Sequence, residues 1–334
     1  MIKLDLKDKK ILYLLNKDCR LSDTKIAKFA NLSKQVVNYR INRFIESGII
    51  DKFIAIIDTE KLGYSFYNVY LELGSLSKEK EQNLISKFID DPSTTWVISG
   101  LGRWNFIVCI LAKNTKEFNK SLNKLFLYSG KDLIDYATFT VVEAFTYPYR
   151  ILFKDIDLRY TPTYMGSKSD NKDLNRLDLN ILDTISNNAR MKLIDISKKL
   201  KEQPNLINYR LKNLISKKYI ASLTTLMNLS KLNIGWYYVF LKVNYHSEDE
   251  EKNLTSYLKS LDNVFYIIKG VGNYNLAFEI HAEDTQRFKD ILEDIKEKYK
   301  PIIRKVDTLQ ILKEYKCNFF PKTILEDENG SNKI

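Results

Sequence analysis

The chain has 334 residues, 44% of them hydrophobic and 28% charged, with a formal net charge of +11. That length supports two or more domains with real cores, and that composition excludes a disordered or collagen-like chain. No run of 18 apolar residues predicts a membrane span, the N-terminus MIKLDLKDKK lacks an apolar signal core, and three scattered cysteines (Cys19, Cys109, Cys317) and two histidines (His246, His281) predict neither a disulfide frame, a metal site nor a bound cofactor.

In chain order, apolar residues at helical spacing predict three helices within residues 1–60: Leu4, Ile11, Leu12 and Leu15, then Ile26, Ala27 and Ala30, then Val36, Val37, Ile41, Phe44 and Ile45. Ser22 and Ser33 suit the N-caps of the second and third helices, and Gly48 suits the end of the third. Ile49 to Ile57 then predicts a short two-stranded wing, which completes a winged helix-turn-helix pattern. Over 64–146 the order becomes strand Phe66–Leu73, helix Lys78–Ile89, strands Thr94–Leu101 and Trp104–Ala112, helix Thr115–Tyr128 and strand Leu133–Phe145. This βαββαβ order is ferredoxin-like. Residues 147–172, with Pro148, Pro162, Gly166 and SKSDNK, predict a linker with a flexible C-terminal end. A second winged module follows at 173–230, a second βαββαβ unit at 234–316, and a disordered tail at 326–334. The fold class is α+β.

The two halves match at a fixed offset of 170 residues. Leu4, Asp8, Ile11, Leu12 and Arg20 meet Leu174, Asp178, Ile181, Leu182 and Arg190. Asn38-Tyr39-Arg40 meets Asn208-Tyr209-Arg210, and Gly100, Gly102 and Asn105 meet Gly270, Gly272 and Asn275. So long a period marks duplicated domains rather than a solenoid. Charge follows the repeat. Residues 1–60 hold twelve basic and eight acidic residues, and residues 171–230 hold eleven and five, so these blocks carry +10 of the +11. That concentration points to phosphate of double-stranded DNA as the partner.

Two constellations carry candidate function. In the third helix, Lys34, Gln35, Asn38 and Tyr39 fall opposite the apolar residues, near the helix start at Ser33. The start of a recognition helix enters the major groove, where Gln and Asn suit adenine and Lys suits guanine or phosphate. Arg40, Arg43 and the wing's Lys52 suit phosphate. Copy two offers Gln203, Asn205, Asn208, Tyr209, Arg210 and Lys212, with Pro204 in the first turn and Glu202 less favourable beside phosphate. A structural alternative stands beside this: the tyrosines of the repeated triplet stack in the helical core, and its arginines pair with an acid of the first helix. The turns Gly100-Leu-Gly-Arg-Trp-Asn105 and Gly270-Val-Gly-Asn-Tyr-Asn275 form the second constellation. Their glycines permit a tight hairpin or close approach to a ligand, with Arg103 and Asn273 at the tips.

The residues Leu4-Asp5, Asp8, Ile11-Leu12, Leu15, Asp18, Arg20, Leu32-Ser33, Val37, Arg40, Gly48 and Ile50 resemble the opening of the Lrp/AsnC (feast/famine) regulators, of archaeal type. The βαββαβ unit is similar to the family's effector-binding (RAM) domain, and the resemblance runs twice along the chain. It implies sequence-specific DNA binding through the third helix and a cytoplasmic, nucleoid-associated transcriptional regulator, not an enzyme. It further implies an amino acid or other small effector near Gly100, Gly102, Arg103 and Asn105 and near Gly270, Gly272, Asn273 and Asn275. A common family Asp in that loop is Asn105 and Asn275 here. Siroheme decarboxylases resemble the same fold, but copy one has no histidine. A scaffold without DNA binding is the other alternative. The tandem form predicts that RAM one and RAM two pack sheet against sheet within one chain, as a pseudo-dimer with further homo-oligomerisation. The alternation of Tyr67, Val69 and Leu71 with Phe66, Asn68 and Tyr70 supplies the apolar face for that packing.

Overall fold

The computed structural model describes residues 3–154, 156, 162–166 and 174–331, with side chains through Asp327. Copy one comprises helices α1 (Leu6–Lys17), α2 (Asp23–Ala30) and α3 (Lys34–Glu46), and strands β1 (Ile50–Ile57) and β2 (Ser65–Leu73). It continues with helix α4 (Lys78–Asp90), strands β3 (Thr94–Gly102) and β4 (Phe106–Ala112), helix α5 (Thr115–Ser129) and strand β5 (Leu133–Thr146). After the short strand β6 (Thr163–Met165), copy two repeats the order with α6 (Arg176–Ser186), α7 (Leu193–Leu200), α8 (Pro204–Ser216), β7 (Ile220–Met227) and β8 (Gly235–Val243). It ends with α9 (Glu248–Ser260), β9 (Val264–Gly272), β10 (Leu276–Ala282), α10 (Thr285–Lys298), β11 (Ile303–Cys317) and α11 (Thr323–Ser331). The contacts divide these elements into two compact units, one holding both winged modules and the other both βαββαβ units.

In the first unit the expected two-stranded wing is a single strand in each copy. β1 and β7 pair antiparallel with each other, from Ile50 opposite Met227 to Ile57 opposite Ile220. Each copy's wing therefore finds its backbone partners in the other copy, because one eight-residue strand cannot satisfy its own donors and acceptors. The start of the expected linker joins this unit. Tyr147, Tyr149, Ile151, Leu152 and Phe153 are buried, and the Phe153 ring packs edge-on to Tyr13 at 5.5 Å. The polar run at 167–172 lies outside the described residues. The expected disordered tail starts inside α11, where Ile324 is buried and Asp327 accepts from the Tyr64 hydroxyl at 2.6 Å; residues 332–334 lie outside the description.

In the second unit, each copy forms a four-stranded sheet with the ferredoxin-like order, and the two sheets join at their edges. The strand order is β2-β4-β3-β11-β8-β10-β9-β5-β6, and β2 also pairs with β5, which closes a ring of eight strands. The long strands make this possible. The first half of β11 pairs with β8 of its own copy, and the rest with β3 of the other copy. The sheet faces take roles opposite to those expected from the alternation on β2. Tyr67, Val69, Leu71 and Leu73 pack outward under α4 and α5 with Leu84, Phe88 and Leu125. Asn68 and Tyr70 point between the sheets, where the Tyr70 ring meets Phe240 at 4.7 Å and Tyr274 at 6.0 Å. The aliphatic set suits the helices, while edge-to-face aromatic rings fill the wider space between two sheets.

Candidate nucleic-acid interface

The third helix of each module is built by its buried stripe. Val37, Ile41 and Phe44 in α3, and Ile207, Leu211 and Leu214 in α8, are the buried residues. Each such side chain contributes about 1.5–3 kcal/mol when fully buried, enough to dictate which face turns outward. Val36 is 38% exposed and so is not a core residue. Ser33 caps α3 by accepting from the Val36 N–H at 3.3 Å. Lys34, Gln35, Asn38 and Tyr39 are exposed together on the opposite face. Gln203, Asn205, Tyr209 and Lys212 are exposed on the equivalent face of α8, with Asn208 half-buried among them. Tyr39 and Tyr209 are 66% and 60% exposed, so they do not stack in the helical core.

The arginines assigned to phosphate are engaged within the module. Arg40 donates to Asp5 at 2.7 Å and to Asp8 at 2.6 Å, and Arg43 donates to Asp8 at 2.7 Å. Asp8 is buried and also closes the capping box of α1 with Asp5, so this carboxylate ties the start of α1 to α3. The hydrogen bond to Asp5, foremost, and that to Asp8 hold the Arg40 guanidinium more firmly protonated than usual. Arg210 reaches Asp178 at 3.4 Å in copy two, where Asn213 replaces Arg43. The pairing of these arginines with an acid of the first helix is therefore the arrangement present. Lys52 is half-buried on β1 and donates to Asn187 at 3.3 Å.

Two arginines noted in the sequence as landmarks of the repeat, without a role of their own, hold the modules together. Arg20 donates to the carbonyls of Ala189 at 2.7 Å and Met191 at 2.9 Å. Arg190 reciprocates to the carbonyls of Cys19 and Leu21, and reaches the Asp23 carboxylate at 2.6 Å. Asn16 donates to Thr224 at 2.9 Å, and the hydroxyls of Thr224 and Thr225 donate to the carbonyls of Asn16 and Leu15. An arginine repeated at the same offset, just after the first helix, was the available signal. Its partners are loop carbonyls of the other copy, which leave no trace in residue identity.

The loops 100–105 and 270–275 have a structural account. A Cβ on Gly100 would lie 2.1 Å from the Gln310 carbonyl oxygen, and one on Gly102 2.4 Å from that of Thr308. On Gly270 and Gly272 it would lie 2.1 Å from the carbonyl oxygens of Thr140 and Thr138. The glycines thus admit the long strand of the other copy at close range. Asn105 bonds both backbone groups of Leu73, at 2.9 and 2.8 Å, and Asn275 does the same for Val243 at 2.8 and 2.7 Å. These amides end the strands as side-chain substitutes for a ladder partner. Arg103 and Asn273 are exposed at the tips, and Arg103 pairs with Glu72 and Asp135. Between the loops, Trp104 Nε1 donates to the Tyr274 hydroxyl at 2.8 Å, joining two residues that match across the repeat.

Buried ionisable groups sit on β10. Burial pushes the Glu279 carboxyl up to about 8 despite the indole N–H of Trp236 at 2.8 Å, and Glu314 adds to the rise. Burial pushes His281 down to about 3, which keeps its imidazole neutral. Burial also raises the Cys19 and Cys109 thiols to about 12, so neither is a ready nucleophile. Among the described residues no group of three or more His, Cys, Asp or Glu side chains could hold a metal ion, and no helix is long and apolar enough to cross a membrane.

A family profile described as winged helix-turn-helix DNA-binding matches residues 4–51 and 174–221. The chain is 34% identical to HTH-type transcriptional regulator FL11 of Pyrococcus furiosus over 116 residues, which is 35% of this chain and 76% of that one. It is also 34% identical to FL11 of Pyrococcus horikoshii over 122 residues, 36% of this chain and 80% of that one. The structure of the siroheme decarboxylase NirDL matches with a TM-score of 0.60 at 14% identity, covering 98% of this chain and 99% of that one. At that identity the likeness is one of fold. Two winged modules at one offset, each followed by a βαββαβ unit and each of the regulator type, lead to one conclusion: the chain belongs to the Lrp/AsnC family of DNA-binding transcriptional regulators, in tandem-duplicated form.

Proposed function

We propose that the chain binds double-stranded DNA sequence-specifically through the exposed faces of α3 and α8, with the two modules reading unlike half-sites. The observation that carries this reading is the outward row Lys34, Gln35, Asn38 and Tyr39 at the start of α3, set opposite a fully buried stripe. The matching row on α8 differs in identity, with Gln203, Asn205, Asn208, Tyr209 and Lys212. Two different helices held by one shared two-stranded sheet suit an imperfect inverted repeat. Ser33, through its cap, and Lys52, on the strand after α3, play supporting parts. Arg40, Arg43 and Arg210 act first as struts that set the angle of the reading helix. The test is binding of the full chain to duplexes over a range of salt. Changing Lys34, Gln35 and Asn38 together to Ala should flatten sequence preference while leaving the fold intact. Unchanged preference and affinity would remove the assignment.

A small effector, with amino acids the first class to screen, belongs to the same proposal. The loops 100–105 and 270–275 spend Gly100, Gly102, Gly270, Gly272, Asn105 and Asn275 on strand pairing and strand ends, so the exposed side chains at the tips, Asn273 and the Arg103 that pairs with Glu72 and Asp135, are the members a ligand would meet. An effector regulates only by favouring one DNA-binding state over another. Thermal-shift screening followed by binding with and without each hit tests it, and no stabilisation by any compound rejects it. We also place the working protein at the nucleoid, with self-association beyond one chain tested by sedimentation.

A further inference from the structure

We propose that Asn38 is a base-reading amide whose orientation is preset from the second module, through Arg190 and Asp23, and that Asn208 lacks this setting. The inference rests on the DNA-reading proposal above. Arg190 is anchored by the carbonyls of Cys19 and Leu21 and lies 5.7 Å from the centre of the Phe53 ring. It grips one oxygen of Asp23 at 2.6 Å, and the other oxygen of Asp23 accepts from the Asn38 amide nitrogen at 3.2 Å. The Asn38 oxygen in turn accepts from Asn42 at 3.3 Å.

The chemistry of this relay decides which end of the amide points where. An ionised carboxylate only accepts, so the nitrogen of Asn38 must face Asp23 and the oxygen must face away. Each end uses one of its hydrogen-bonding positions and keeps another. The remaining donor and acceptor are the pair an asparagine needs to hold the N7 and N6 edge of adenine. A side chain fixed in that pose before binding loses less freedom on contact, and a flipped amide is excluded.

Copy two cannot do this. Arg20 makes the matching bonds to the carbonyls of Ala189 and Met191, but the residue matching Asp23 is Leu193, which offers no acceptor. The residue matching Asn42 is Lys212. Asn208 thus sits on an equivalent helix with neither end of its amide set. Asp23 and Arg190 are positioning residues, and the duplicated chain has one strict reader and one permissive reader.

The test is selection of bound sequences from a randomised duplex pool by the full-length chain, with wild type, D23L, D23N, L193D and N38A compared. Wild type should show one sharp adenine position in one half-site, lost in N38A, and a tolerant position in the other. D23L should blunt the sharp position by roughly tenfold, the discrimination of one bidentate contact, while affinity for the remaining positions changes little. D23N keeps the shape of the side chain but offers a donor as well as an acceptor, so it should blunt the same position without unfolding the module. L193D builds the missing carboxylate beside Arg20 and should sharpen the second half-site. An equally sharp position in D23L and D23N overturns the relay, as does a uniform loss of affinity with no change in preference. Absence of duplex binding by wild type would instead overturn the DNA-reading proposal itself.

Discussion

The two winged modules share a fold and differ in how it is held. Module one carries local stop and start signals at its helix ends: Ser22 and Ser33 accept from Lys25 and Val36, Asn31 takes the left-handed backbone at the end of α2, and Gly48 takes it after α3. Module two has Lys192 and Gln203 at the same N-cap positions without a side-chain cap bond, and lysines in both left-handed sites, Lys201 at φ 57° and Lys218 at φ 58°. A side chain with a Cβ costs roughly 1–2 kcal/mol in that conformation. Module two keeps its helices because β7 is paired along β1 and its loop is clasped by Arg20. The difference shows that local signals can decay in one copy when packing against the other supplies the stability.

That comparison can be broken where the copies agree and sharpened where they differ. The largest effects should fall where both copies need the same residue. Gly100→Ala and Gly270→Ala each place a Cβ 2.1 Å from a carbonyl of the other copy's strand, so each should cost more than about 3 kcal/mol and lower the melting temperature to a similar degree. A tolerant Gly270→Ala beside a damaging Gly100→Ala would show that the ring closes through one seam only.

Glu279, matched by Cys109 in copy one, gives the next prediction. Its folded pKa of about 8 lies above the ordinary 4.5, so the fold binds the proton more tightly than the unfolded chain does. Its contribution is complete below about pH 4.5 and is lost as pH rises towards 8, by on the order of 5 kcal/mol. Of the facing groups, the Glu314 carboxyl adds to the rise, and the Tyr238 and Tyr266 hydroxyls do not titrate in this window, since burial raises both well above their ordinary values. His281 acts in the opposite direction, because its folded value of about 3 makes the fold less stable as pH drops below 6.5. Glu279→Gln keeps the acceptor for Trp236 and should remove the fall in stability between pH 6.5 and 8 in urea melts, the window in which His281 no longer opposes it. An unchanged slope means that the carboxyl is hydrated.

Arg20→Ala and Arg190→Ala should each cost about 2 kcal/mol, because each strands two loop carbonyls of the other module. Arg190→Ala should cost somewhat more, since it also releases Asp23. Equal Cm values for the two variants would remove the asymmetry. The smallest effects should come from the caps. Ser33→Ala should destabilise by about 1 kcal/mol, whereas Gln203→Ser should stabilise by a similar amount. Lys218→Gly should stabilise by about 1 kcal/mol as well, where Gly48→Ala should destabilise. Matching responses in both modules would mean that their helix ends are equally well satisfied.

Much of this protein is decided by the sequence alone. Periodicity placed the three helices of module one and the strand and helix order of its βαββαβ unit, because burial of one face leaves a pattern at spacings of about 3.6 or 2 residues, and the repeat carried both to copy two. The offset of 170 revealed the duplication, and Ser22 and Ser33 marked helix starts because capping is a contact within one turn. The partners across the copies were decided only by the tertiary structure. Ile49 to Ile57 reads as a self-contained wing, but its ladder lies on β7, roughly 170 residues away. The glycines of 100–105 announce close approach without naming β11 as the neighbour, and Arg40 announces charge without naming Asp8. Strand edges, loop carbonyls and buried carboxylates accept many partners with the same geometry, so which one is taken depends on which surfaces folding brings together.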